Sequence, residues 1–168
     1  RMLTSDERTY AIGDVVGGWM LAHVASREGI VAASQAAGRD VRMSYEAVPR
    51  CTFTSPEIAS VGITEHGARD RGIEIETGRF PFSASGKALA SGDTAGFVKV
   101  FSSASDGTVL GGVVVGPHAS DLIHEIAIAV EAGLPAQLLA DAIHAHPTLS
   151  EAVCEAFEAL HGESIHSG

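Results

Sequence analysis

The stretch from Phe97 to Val115 constrains this chain more than any other. Phe97-Val98-Lys99-Val100-Phe101 and the run Val109 to Val115 are apolar and rich in β-branched residues, and the segment between them, Ser102 to Gly107, is made of Ser, Ala, Asp and Gly. Branched and aromatic side chains suit a pleated surface, and small polar residues suit the reversal between two strands, so the pair predicts a β-hairpin. The same signals predict further strands at Ile73 to Phe80, Cys51 to Phe53 and Ile58 to Gly62, the last two flanking a Thr54-Ser55-Pro56-Glu57 turn.

Helical periodicity fills the remainder. Thr64 to Arg71 reads as a short helix capped by Thr64. Asp121 to Glu131 places Leu122, Ile123, Ile126, Ala127 and Val130 on one face and stops at Gly133, before Pro135. A short helix follows from Pro135 to Ala140. A last helix starts near Thr148, with Leu149, Val153, Phe157 and Leu160 on its apolar face. From residue 46 onward this pattern predicts an α+β fold, an antiparallel sheet with helices packed on one side. Upstream, Thr9 to Ile12 reads as a strand and Gly17-Gly18 as a turn. A helix from about Met20 to Ala37 follows, with Leu21, Val24, Ala25, Val31 and Ala32 on its inner face and Gly38 at its end. Asp40 to Pro49 is mixed and polar, so a boundary is predicted between residues 1–45 and 46–168.

Composition removes several classes of partner. The chain carries 11 basic against 21 acidic residues, a net charge of −10, which is the wrong sign for a phosphate backbone, so no nucleic-acid partner is expected. No apolar run approaches the ~18 residues of a membrane span, and Arg1 to Arg8 has no signal-like apolar core. No membrane association is expected. The two cysteines, Cys51 and Cys154, are isolated from each other, which fits a reducing cytoplasm and argues against a zinc cluster.

His144-Ala145-His146-Pro147-Thr148-Leu149-Ser150-Glu151 is the segment with chemical potential. Thr148 and Glu151 have the spacing of a capping box, which would make Glu151 structural. Alternatively, Pro147 stiffens a loop that projects His146, and Glu151 five residues later approaches one ring nitrogen, leaving the other to exchange a proton. A zinc site at His144 and His146 would need further ligands, and His118 and His124 lie on another element, so no metal is expected.

The string His144 to Ala152 resembles the carboxy-terminal signature of the pyridine nucleotide-disulfide oxidoreductases. Tyr10-Ala11-Ile12-Gly13-Asp14, Phe53-Thr54-Ser55-Pro56-Glu57-Ile58-Ala59-Ser60-Val61-Gly62 and Gly96-Phe97-Val98-Lys99-Val100 agree with that family in the same order. The resemblance implies that His146 is the base acting on a substrate dithiol and Glu151 the carboxylate that orients it, both reaching into the other subunit's active site. It implies that Asp14 binds the ribityl chain of FAD and that Met20, Leu21, Ala22 and His23 lie along the flavin ring. It also implies that residues 46–168 form the dimerisation domain of a homodimer, and that residues 1–45 are a strand and helix belonging to an FAD domain.

The chain lacks a G-x-G-x-x-G fingerprint and a closely spaced redox cysteine pair. The resemblance therefore implies one part of a larger FAD- and NAD-dependent enzyme, with no cofactor bound by this part alone. His144 and the Leu149-Ser150-Glu151 run are closest to the branch that oxidises dihydrolipoamide, whose partner is the lipoyl domain of a 2-oxoacid dehydrogenase complex. A glutathione-type reductase and a dimerisation module without activity remain alternatives. A mercuric reductase would end in paired cysteines, where this chain ends in Ser167-Gly168. His144 receives no role, and the His146–Pro147 bond is expected to be cis.

Overall fold

In the computed structural model residues 1–166 are described, and Ser167 and Gly168 lie outside the described residues. The chain forms two compact units, Arg1–Tyr45 and a larger one from Glu46 onward. In the first, α1 (Ala22–Ala36) follows a 3-10 turn, Gly13–Val16. Val31, Ala32 and Met2 are buried together, with Tyr10, Val41 and Met43 packed against them. The predicted strand at Thr9 to Ile12 is reduced to a single antiparallel bridge between Leu3 and Tyr10. The helix begins at Ala22, because Met20 sits at φ 43, outside the helical region.

The larger unit is built on five strands: β1 (Arg50–Thr52), β2 (Glu57–Gly62), β3 (Ile75–Pro81), β4 (Phe97–Ser103) and β5 (Val109–Gly116). They lie in the order β1-β2-β5-β4-β3, and every pairing is antiparallel. The predicted hairpin is the β4–β5 pair at its centre. Register partners run straight across one face, Ala59, Val114, Val98 and Phe80 in one row and Val61, Gly112, Val100 and Gly78 in the next. All the side chains in both rows belong to the core.

Two helices close that face. The first, α4 (Ala119–Ala132), crosses β2 and β5, and α6 (Glu151–Glu158) crosses β3 and β4 with α5 (Ala136–Ala140) beside it. Their buried residues, Ile123, Ile126 and Ala129 from α4 and Ala152, Val153, Ala156 and Phe157 from α6, meet the two strand rows. The head of α4 is capped from the sheet: Glu57 on β2 accepts from the Ser120 amide at 3.0 Å and its hydroxyl at 2.9 Å. These bonds hold the Glu57 carboxyl below the usual range. The short α2 (Glu65–Arg71) is capped by Thr64, as predicted, and its Glu65 pairs with Lys99, whose side chain alternates to the opposite face of β4. One helix, α3 (Gly86–Ser91), was not predicted. It is a single turn and a half between Ser85, which caps it, and the left-handed Gly92.

The second strand row holds two glycines, and each lies under a helix. A Cβ on Gly112 would stand 2.9 Å from the Ile126 Cδ1 atom of α4, and one on Gly78 would collide with the Ala156 carbonyl of α6. Their missing side chains therefore set how near α4 and α6 approach the sheet. Gly78→Val is expected to push α6 off β3 and cost about 3 kcal/mol, the upper range for overpacking a core. Urea unfolding followed by far-ultraviolet circular dichroism checks this, and an unchanged midpoint would refute the close-approach argument.

Candidate functional site

The site begins with the anchoring of α6. Ala152, Val153, Ala156 and Phe157 are wholly buried, which fixes the first turn of the helix and with it Glu151. The helix starts at Glu151, three residues later than predicted, and only half of the expected capping box is present. Glu151 Oε2 accepts from the Thr148 amide at 2.8 Å, but the Thr148 hydroxyl turns away and donates to the Ala145 carbonyl at 2.7 Å. Thr148 thus braces the loop before it instead of capping the helix after it.

The other oxygen, Glu151 Oε1, lies 2.8 Å from Nδ1 of His146. The His146–Pro147 bond is cis, as expected. A carboxylate can only accept, so Nδ1 carries the proton in this pair and Nε2 of a neutral ring is the free base. Among the described residues Nε2 has no hydrogen-bond partner, and the His146 side chain is 78% exposed against 31% for Glu151. Burial pushes the Glu151 carboxyl up, but the Thr148 amide, His146 and His144 outweigh it and hold the group below the usual carboxylate range. Glu151 is therefore ionised at neutral pH and orients the ring it holds. Both readings of Glu151, helix-start structure and orientation of His146, describe the same side chain, one per oxygen.

His144, two residues earlier, is used quite differently. Its Nδ1 meets the Ala142 carbonyl at 2.9 Å and its Nε2 meets Glu125 Oε1 of α4 at 2.9 Å. The histidines of the H-x-H motif are each held by a separate carboxylate, and no group of three or more metal-binding side chains gathers among the described residues. Sequence reasoning missed Glu125, which is 19 residues away on another helix and shares no local pattern with the motif. Both cysteines are free. Burial raises Cys154, helped by Glu158, Glu125 and Glu155, to about 11, and burial followed by Glu57 and Asp121 also raises Cys51. Neither is a thiolate at neutral pH, so neither is poised as a nucleophile.

In the first unit, Asp14 lies exposed on the 3-10 turn, and Met20, Leu21, Ala22 and His23 form the entry to α1. No side chain caps that helix at Leu21, and Val15, Val16 and Met20 are exposed around it. A second missed residue holds this turn in place. Glu28 is buried on the inner face of α1, accepts from the Gly13 amide at 2.7 Å and receives the Tyr45 hydroxyl at 2.7 Å. Burial and Glu28 together push the Tyr45 phenol up to about 12. Its signal was available: Glu28 occupies the gap between Val24 and Val31 in the apolar stripe.

Residues 48–157 match the dimerisation domain of the pyridine nucleotide-disulphide oxidoreductases. Dihydrolipoyl dehydrogenase of Geobacillus stearothermophilus is 48% identical over 163 residues, covering 97% of this chain and 35% of the relative. The Haloferax volcanii dihydrolipoyl dehydrogenase is 49% identical over 168 residues, with 99% of this chain and 35% of the relative covered. Among solved structures, LpdA of Mycobacterium tuberculosis superposes with a TM-score of 0.89 at 36% identity, covering 95% of this chain and 35% of that one. RclA of Escherichia coli, described as an HOCl-induced flavoprotein disulfide reductase, does so at 0.84 and 27% identity, covering 94% and 37%. The chain thus spans about a third of the length of these relatives.

The lowered Glu151 carboxyl has a consequence for stability. Its contribution is complete above the unfolded value near ~4.3 and is lost as pH falls through the lower folded value. Glu151→Gln keeps an acceptor for the Thr148 amide and removes the charge, so it is expected to cost about 1 kcal/mol at neutral pH. It should also flatten the acid-side fall in melting temperature. Thermal melts between roughly pH 5 and pH 3 test this, and a variant whose melting temperature falls as steeply as that of the parent chain contradicts it.

Proposed function

Because the chain belongs to the pyridine nucleotide-disulphide oxidoreductases, through their dimerisation domain, we propose that it serves a cytoplasmic enzyme of the dihydrolipoyl dehydrogenase kind. In that enzyme a protein-bound dihydrolipoamide is oxidised to lipoamide, with FAD and NAD as electron carriers. The observation that carries this reading is the 2.8 Å bond from His146 Nδ1 to Glu151, which leaves an exposed Nε2 as the only proton-accepting ring atom.

The chemistry calls for such a pair. A thiolate attacks a disulfide and a thiol does not, so Nε2 accepts the proton of one substrate sulfhydryl as its sulfur becomes nucleophilic. The imidazolium that forms donates through Nδ1 to a carboxylate already ionised, and Nε2 returns the proton to the leaving thiolate. Neither Cys51 nor Cys154 can be the exchanging sulfur pair, because both are neutral thiols without a disulfide partner. The exchangeable disulfide belongs elsewhere in the enzyme.

The residues assigned to the flavin suit its shape and charge. Asp14 offers an exposed acceptor for sugar-alcohol hydroxyls, while Val15, Val16 and Met20 offer apolar cover beside the N-terminal end of α1. Leu21, Ala22 and His23 supply that helix entry. When bound, the flavin supplies the two-electron step between the disulfide and NAD. The pair His146 and Glu151 would act in the partner subunit's site of a homodimer, with a lipoyl domain delivering the substrate. A second reading, a module that only dimerises, is favoured by the unburied apolar side chains of Leu138 and Ile143, 52% and 102% exposed, on the segment leading to His146.

Replacing His146 with Gln in the whole enzyme distinguishes the two. The expected result is a fall of about 10²- to 10⁴-fold in the rate of dithiol oxidation, the usual worth of a general base. Flavin content and dimer mass should stay unchanged. Turnover within about twofold of the parent enzyme would overturn the base assignment and leave the dimerising role.

A further inference from the structure

We propose that His144 is a positioning residue for the His146–Glu151 pair: bridging Glu125 of α4 and the Ala142 carbonyl, it fixes the loop that carries His146 and sets a positive charge beside Glu151. The proposal rests on the reading above for its functional meaning, and on its own geometry for the rest. The side chain is 11% exposed, and each ring nitrogen faces an oxygen at 2.9 Å. A carbonyl can only accept, and so can the Glu125 carboxylate, so both nitrogens must donate. A neutral ring has one N–H and would leave one of these contacts unmade. His144 is therefore held as an imidazolium, where His146 has one acceptor and one open nitrogen.

The titratable groups that face His144 are Glu125 from α4 and Glu151 from α6. Burial alone would lower its affinity for a proton, but the Ala142 carbonyl, Glu125 and Glu151 reverse that and raise it above the ordinary histidine value. The clamp joins two parts of the unit. Glu125 lies one residue before Ile126, the residue seated on Gly112, and the Ala142 carbonyl lies in the segment running into His146. Losing the charge would leave one of the two oxygens without a donor and loosen the tie between the loop and α4.

Two-bond proton–nitrogen correlation spectra of the 168-residue chain read the ring states directly. At pH 7 both nitrogens of His144 are expected to be protonated, and the neutral fraction of His146 should carry its proton on Nδ1. In His144→Gln and Glu125→Gln, with folding followed by amide spectra, His146 should lose its Nδ1–H preference and populate the other tautomer. The Glu151 carboxyl, followed by its carbon shift, should titrate closer to the ordinary value of about 4.3. A neutral His144 at pH 7, or an unaltered His146 tautomer and Glu151 titration in both variants, would overturn the proposal. Should His144→Gln fail to fold, Glu125→Gln, which keeps the ring and its Ala142 bond, decides it. These readouts do not depend on turnover. If the His146→Gln enzyme keeps its activity while the tautomer shift occurs, the functional reading fails and the positioning role stands.

Discussion

The closeness of two helices to one sheet governs the rest of the structure. Val61, Gly112, Val100 and Gly78 form a single row across β2, β5, β4 and β3, and α4 and α6 rest on its two glycines. The carboxylates at the site are carried by these same helices, Glu125 by α4 and Glu151 by α6. Packed interiors deform little, so a helix seated on backbone instead of on a side chain has little freedom to slide. The positions of Glu125 and Glu151 thus depend on how closely α4 and α6 sit on the sheet.

Within the His-x-His motif, identical side chains have different surroundings, and the duties proposed for them differ accordingly. His144 is almost covered and has an acceptor at each nitrogen, whereas His146 is exposed and has an acceptor at one. A residue that must hold a charge needs both protons committed, and one that must exchange a proton needs an uncommitted nitrogen. A carboxylate serves in each case, and it is the second acceptor that separates a clamp from a base.

The sheet and its helices were legible from the sequence because each rests on a local period. The strands at Phe97–Phe101 and Val109–Val115, the Thr64 cap, the Gly133 stop and the apolar face of α6 all follow from spacing and turn chemistry. The pairing of His146 with Glu151 was legible for the same reason, being five residues long. The rest was not legible, for reasons that differ from residue to residue. The run Thr9–Ile12 has strand composition but gains only the single bridge between Leu3 and Tyr10. Ser85 and Gly92 bracket α3, but six residues are too few for a helical period to register. Thr148 has the residue type and spacing of a cap, and the Ala145 carbonyl captures its hydroxyl first. Glu125 and His144 meet only because the chain folds back, which no window of sequence contains.

The acidic surplus, read from the sequence only as a reason to exclude nucleic acid, also has an internal use. Glu28 accepts from the Gly13 amide, Glu57 from Ser120, Glu151 from Thr148, and Glu155 from Ile165 and from a ring nitrogen of His166. In each case a carboxylate on a helix or strand satisfies a main-chain N–H in a turn or at a helix start, where no regular partner exists. Charge-assisted bonds of this kind are about twice as strong as neutral ones, and they need an ionised acceptor. Glu57, Glu151 and Glu155 are all held below the usual carboxylate range, which keeps that acceptor present at neutral pH. The arrangement suits the role proposed for His146, which asks for a loop that stays fixed while the ring exchanges a proton with substrate. Under that proposal the bond from the Thr148 amide to Glu151 braces the loop independently of Nε2.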